Sequence, residues 1–204
     1  MNALILFVKD PVPGNVKTRL GTTIGMERAA ELYRSFAASS FAIATEMVKH
    51  NTRVFIWYAP GAEREAIRAW VGNEEFMYEE QRGDSLGERM RHAFHEAFRL
   101  GATKTVILGT DIPEIDQSLV TSAFRSLDDH GIVIGPSSDG GYYLLGMAAP
   151  GIELFEGVPW STDGVLPATL RLIERSRATV TLLAELSDID TEEDYHRYLA
   201  RKRR

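Results

Sequence analysis

Four short apolar runs constrain the fold more than any other feature of this chain. Ala3–Val8, Arg53–Ala59, Thr105–Gly109 and Ile132–Gly135 are rich in Val, Ile and Leu and lack polar alternation. A run of that length and character is a strand buried on both faces. Tyr142–Met147 and Thr179–Leu183 are further strand candidates. Helical patterns fill the intervals. Leu86, Met90, Ala93, Phe94, Ala97 and Phe98 repeat at helical spacing, as do Leu119, Val120, Ala123, Phe124 and Leu127. Residues 26–49 and 163–176 also read as helices. Asp116 and Thr191 occupy N-cap positions, with Asp194 three residues after Thr191 as a capping-box analogue. Repeated strand–helix–strand units predict an α/β fold with a mostly parallel central sheet and helices on both faces.

The 204 residues show no linker, repeat or low-complexity segment, which predicts a single domain over 1–204. Hydrophobic residues make up 44% of the chain, enough for a sizeable core. A net charge of -6 disfavours nucleic acid and anionic membrane as partners, since both require a basic face. The absence of cysteine excludes disulfides, thiolate zinc sites and cysteine nucleophiles. The N-terminal apolar run is too short for a membrane span or a signal segment, so a cytoplasmic protein is expected. The basic end, Arg201-Lys202-Arg203-Arg204, suits a helix C-terminus or a frayed tail.

In parallel sheets, ligands bind beyond the carboxyl ends of the strands. The loop after the first strand runs from Lys9 to Leu20. Gly14 lets its backbone turn closely, and Lys9, Lys17 and Arg19 offer a cradle for phosphate oxygens. It is not a Walker loop, because Val16 and Pro11 stand where that motif requires glycine. Asp111, in Gly109-Thr110-Asp111-Ile112-Pro113, follows an apolar strand and can hold Mg²⁺ or Mn²⁺ or simply cap a turn. Asp190, after the last strand, can join it in clamping one cation or can serve as a helix cap. The segment Gly135–Tyr143 is either a tight turn or a substrate-contacting loop through Asp139, Gly140, Gly141 and Tyr142. Trp160 and Ser161 are weaker candidates of the same kind. Gly83 and Asp84 lead into a helix whose free N–H groups can meet a phosphate. His92 and His95 lack a third ligand nearby and read as solvated helix residues.

Taken in order, these segments resemble the radical-SAM/selenodomain-associated transferases, also called arsenosugar-biosynthesis glycosyltransferases. The resemblance runs from Phe7–Leu20 through Gly83–Met90, Gly109–Pro113, Gly135–Tyr143 and Trp160–Thr162 to Asp188–Asp194, essentially the whole chain. It implies a Rossmann-like GT-A (nucleotide-diphospho-sugar transferase) fold. The chain is more distantly similar to phospholactate guanylyltransferases and molybdenum-cofactor nucleotidyltransferases. In such relatives the first loop holds nucleotide phosphates, which implies that role for Lys17 and Arg19. Their metal aspartate after a central strand corresponds to Asp111. A second metal aspartate, found in CMP-sugar synthetases, corresponds to Asp190.

Two chemistries follow, both expected to use a nucleoside triphosphate or nucleotide sugar with a small-molecule acceptor. Nucleotidyl transfer to a phosphorylated acceptor releases pyrophosphate; glycosyl transfer releases a nucleoside diphosphate. Lys17 and Arg19 as a concentrated charge, with Asp111 lacking an Asp-X-Asp partner at Gly109, favour the first. Lys17, Arg19 and Asp111 are the expected catalytic residues. A nucleotide-binding module without turnover is a further alternative, disfavoured by the presence of both Asp111 and Asp190.

Overall fold

A computed structural model describes residues 1–202; Arg203 and Arg204 of the basic end lie outside the described residues. Among the described residues, strands β1 (Asn2–Val8), β2 (Thr52–Tyr58), β3 (Met77–Glu80), β4 (Lys104–Gly109), β5 (Ile132–Pro136), β6 (Tyr142–Met147) and β7 (Val180–Leu182) form one sheet. Their order is β3-β2-β1-β4-β6-β5-β7. The helices are α1 (Thr18–Ile24), α2 (Met26–Lys49), α3 (Arg64–Val71), α4 (Leu86–Arg99), α5 (Gln117–Asp129), α6 (Val165–Ser176) and α7 (Glu192–Lys202).

The pleat of β1 shows why the strands carry no polar alternation. Leu4, Leu6 and Val8 enter one core, Ala3 and Ile5 the other. The first core is closed by α2 through Ala37, Phe41 and Ala44, and by α5 through Val120, Ala123 and Phe124. The second is closed by α4 through Met90, Ala93, Phe94 and Ala97, with Ile173 of α6. Helices therefore cover both faces of a mostly parallel sheet. β6 departs from the parallel rule, pairing antiparallel with β4 and β5. Five residues separate β5 from β6, too few for a parallel crossover.

The chain winds outward from β1 to β2 and β3, then returns to place β4 on the other side of β1. That reversal opens a crevice at the carboxyl ends of β1 and β4, the usual ligand position in open α/β sheets. Phe7 pairs in register with Gly109, so Lys9 and Asp111 leave the sheet side by side. No helix of the described residues is long and apolar enough to cross a membrane.

Candidate active site

The loop leaving β1 is pinned before it offers any side chain. Tyr33 of α2 accepts a hydrogen bond from the Lys9 N–H at 2.8 Å, and its hydroxyl lies 3.0 Å from that of Thr110. Arg34 donates to the Pro11 carbonyl at 2.6 Å. Val16 is buried against Ala30 and Tyr33. Gly14 turns the exposed part of the loop at φ 87. Lys17 then adopts the left-handed region, φ 47 and ψ 40, and caps α1.

This geometry turns Lys17 inward. Its side chain is 2% exposed, with Nζ 3.1 Å from Asp190 and 3.5 Å from Asp111. Lys9, 58% exposed, reaches Asp111 at 3.5 Å from the solvent side. Burial raises the Asp111 pKa, but Lys17 and Lys9 outweigh it and hold the carboxyl below its ordinary range. Burial disfavours the Lys17 ammonium in turn, and the carboxylates of Asp111 and Asp190 overcome that, leaving its pKa raised. Asp190 is aimed by its neighbour. Ile189 is buried with Leu20 of α1 and Phe36 of α2, which ties the segment after β7 to the base of the first loop. Thr191 and Asp194 form the expected reciprocal cap, the Asp194 N–H donating to the Thr191 hydroxyl and the Thr191 N–H to the Asp194 carboxylate.

Beside this pair opens a pocket of about 450 Å³, lined by Arg19, Leu86, Ser137, Asp139, Gly141, Tyr142, Trp160, Ser161, Thr162, Asp163, Val165 and Asp190. Asp139 accepts from the Ser137 hydroxyl and, at 2.9 Å, from the Gly141 N–H, which fixes its orientation in the β5–β6 turn. Gly140 sits at φ 86, and a Cβ there would lie 2.4 Å from the Asp163 carbonyl oxygen. Only glycine lets the two pocket walls meet. Trp160 rests on Gly87, whose added Cβ would meet the indole at 2.5 Å, and it stacks on Phe155. Among the described residues Arg19 has no carboxylate partner, so its guanidinium stands open at the pocket edge.

The structure thus gathers Lys9, Lys17, Asp111 and Asp190 at one point, and Arg19, Asp139, Gly141, Tyr142, Trp160 and Ser161 around the adjoining space. Gly83 and Asp84 are not in that lining. There the Glu88 carboxylate accepts from the Asp84 N–H at 2.7 Å and Ser85 accepts from the Glu88 N–H, so a capping box occupies the helix start expected to meet a phosphate. His92 is not a solvated helix residue: it packs edge-on to Trp57, with Nδ1 buried. Sequence reasoning gave no site role to Asp163 or Asp188. The Asp188 carboxyl is pushed up to about 6 by burial and by Asp190 and Asp139. Its place one residue from Ile189, with Asp190 on the other side, was the available signal.

Residues 43–162 match the family described as "Uncharacterized protein conserved in bacteria (DUF2064)". The chain belongs to that family. Among solved structures, this DUF2064 protein is similar to a proposed nucleotide-diphospho-sugar transferase from Desulfovibrio desulfuricans G20. That likeness has 37% identity and a TM-score of 0.86, covering 93% of this chain and 82% of that one. Rv0371c from Mycobacterium tuberculosis H37Rv, in complex with manganese, shares the fold at 16% identity and a TM-score of 0.56, covering 98% and 97%. The inositol-1-phosphate CTP transferase of T. maritima does so at 18% identity and a TM-score of 0.56, covering 95% and 90%. No curated protein matches the chain. The fold is that of the nucleotide-diphospho-sugar transferases.

Proposed function

We propose that this DUF2064 chain is a metal-dependent transferase acting on a nucleotide-activated donor, with 1–204 as a single cytoplasmic domain. The reaction we assign is nucleotidyl transfer from a nucleoside triphosphate to a small phosphorylated acceptor. A phosphate oxygen of the acceptor attacks the α-phosphorus, the α–β phosphoanhydride breaks, and pyrophosphate leaves. One observation carries the reading: Asp111, just after β4, and Asp190, just before α7, converge on the Lys17 ammonium, and Asp190 also lines the adjoining pocket of about 450 Å³.

The residues fit Mg²⁺ or Mn²⁺. Both carboxylates are hard oxygen donors, and Mg²⁺ is commonly held by one or two carboxylates while substrate phosphates and water complete its shell. Among the described residues no group of three or more His, Cys, Asp or Glu is arranged to hold a metal. Asp111 and Asp190 would hold the ion, which would neutralise charge on the leaving phosphates. Arg19, open at the pocket edge, binds the phosphates as a planar fork. Lys9 approaches the same point from solvent. An ionised phosphate acceptor needs no general base. Asp139, Gly141, Tyr142, Trp160 and Ser161 receive the acceptor.

Glycosyl transfer is the second reading, favoured by Asp139 and Asp163 in the pocket wall and by the Trp160 ring. Carboxylates accept hydrogen bonds from sugar hydroxyls, and an indole packs against a sugar ring. The resemblance to the radical-SAM/selenodomain-associated glycosyltransferases points the same way. A thermal-shift panel separates the two. Ligand at 100 times its dissociation constant adds about 2.7 kcal/mol of stability. The nucleotidyl reading expects nucleoside triphosphates with Mg²⁺ to stabilise the protein more than sugar nucleotides do. The reverse order supports glycosyl transfer, and no response to either class overturns the proposal.

A further inference from the structure

Lys17 differs from every other cation near the site. Lys9 is 58% exposed and touches Asp111 alone, whereas the Lys17 side chain is 2% exposed and lies within 3.5 Å of both carboxylates. Its backbone stands in the left-handed region, which a lysine occupies only where its surroundings impose it. They do so on both sides. Val16 before it and Leu20 after it are buried in separate small cores. The ammonium therefore projects from a fixed point between Asp111 and Asp190.

We propose that Lys17 is a resident counter-cation of the metal site, a positioning residue that holds the two aspartates together and weakens their affinity for free divalent ions. The inference rests on the metal-dependent reading above. Asp111 and Asp190 alone would present a charge of −2 to an incoming ion; the buried Lys17 ammonium reduces that by one, in addition to the exposed Lys9 that also touches Asp111. A divalent ion beside a buried ammonium also meets like-charge repulsion that solvent screens poorly. The negative charge of a polyphosphate offsets both effects. The ion is consequently retained together with the donor and is bound poorly alone, which keeps the site from loading metal without substrate.

This role and the phosphate-ligand role implied by the sequence make opposite predictions for Lys17→Met, which removes the charge and keeps the length. A phosphate ligand lost from the site weakens nucleotide binding and leaves Mn²⁺ binding to the protein alone unchanged. A counter-cation lost from between two aspartates strengthens Mn²⁺ binding. Calorimetric titration of Mn²⁺ into the whole chain, with and without a non-hydrolysable nucleoside triphosphate analogue, reads this directly. For the wild type, the analogue is expected to tighten Mn²⁺ binding about tenfold or more. For Lys17→Met, Mn²⁺ alone is expected to bind about tenfold or more tighter than to the wild type, and the effect of the analogue shrinks. Equal or weaker Mn²⁺ binding by a folded Lys17→Met overturns the inference while leaving the metal-dependent reading standing. If that variant does not fold, the wild-type titration decides, and Mn²⁺ affinity indifferent to the analogue overturns it. A wild type that binds neither Mn²⁺ nor analogue removes the functional reading itself.

Discussion

Asp111 carries the heaviest demand placed on any single residue. Asp111→Asn removes a charge at nearly constant volume, and Lys17 retains Asp190 at 3.1 Å. The variant is expected to lose metal-dependent turnover and to keep a native circular dichroism spectrum; normal turnover at limiting Mg²⁺ removes Asp111 from the metal site. Asp190→Asn should weaken metal binding less, because its backbone N–H still bonds to Asp194. Arg19→Ala removes a charged donor worth about 1.5–3 kcal/mol, so nucleotide binding should weaken about tenfold or more. The loss should grow from mono- to triphosphate in a calorimetric series, and an equal loss across the series contradicts the phosphate role. At this scale the sequence pointed to Lys9, Lys17, Arg19, Asp111 and Asp190 but not to Asp163 or Asp188, and not to how any of them is engaged. Lys17 and Arg19 are basic residues two positions apart in what reads as one loop, yet Lys17 caps α1 and Arg19 lies within it. Burial separates them, and it depends on a left-handed backbone at a lysine, which residue type does not announce.

The elements themselves were legible where they were long or fully apolar. β6 and α2 have the bounds the pattern predicts, and Asp116 caps α5 as expected, accepting from the Leu119 N–H at 2.8 Å. Asp116→Ala should cost about 1 kcal/mol at neutral pH, measured by denaturant unfolding. The Ser118 hydroxyl and the Leu119 N–H hold the Asp116 carboxyl below its ordinary pKa of 3.8. A depressed folded pKa gives stability that is present above the unfolded value and lost as pH falls through the folded one. The difference between wild type and variant should therefore shrink below that range; a difference that grows with acidity contradicts the cap. Three elements gave no usable pattern. β3 has two glutamates in four residues and pairs only at the sheet edge with β2. α3 has eight residues, short for a periodic signal. α1 contains Gly21 and a Thr-Thr pair, poor helix formers, and is held by burial of Leu20. Gly87→Ala tests how an element seats the pocket. Its methyl group would meet Trp160, so acceptor binding should weaken more than nucleotide binding, and equal loss of both contradicts a specific seat for the indole.

Across the whole molecule, the order of apolar runs conveyed a mostly parallel sheet with helices on both faces, because such runs are buried wherever they lie. Strand direction was less visible: an apolar run reads alike both ways, and only the short connection before β6 marks it as antiparallel. The convergence of Asp111 and Asp190 follows from the winding, which brings the end of β4 beside β1 and returns the chain after β7 across the base of α1. We propose that this crevice breaks an α–β phosphoanhydride. The most direct test is pyrophosphate release on mixing the protein with nucleoside triphosphates, Mg²⁺ and a pool of small phosphorylated metabolites, with Asp111→Asn alongside. Pyrophosphate is expected from the wild type, none above background from the variant, and none without Mg²⁺. Nucleoside diphosphate released from a sugar-nucleotide pool, with no pyrophosphate from triphosphates, would contradict it.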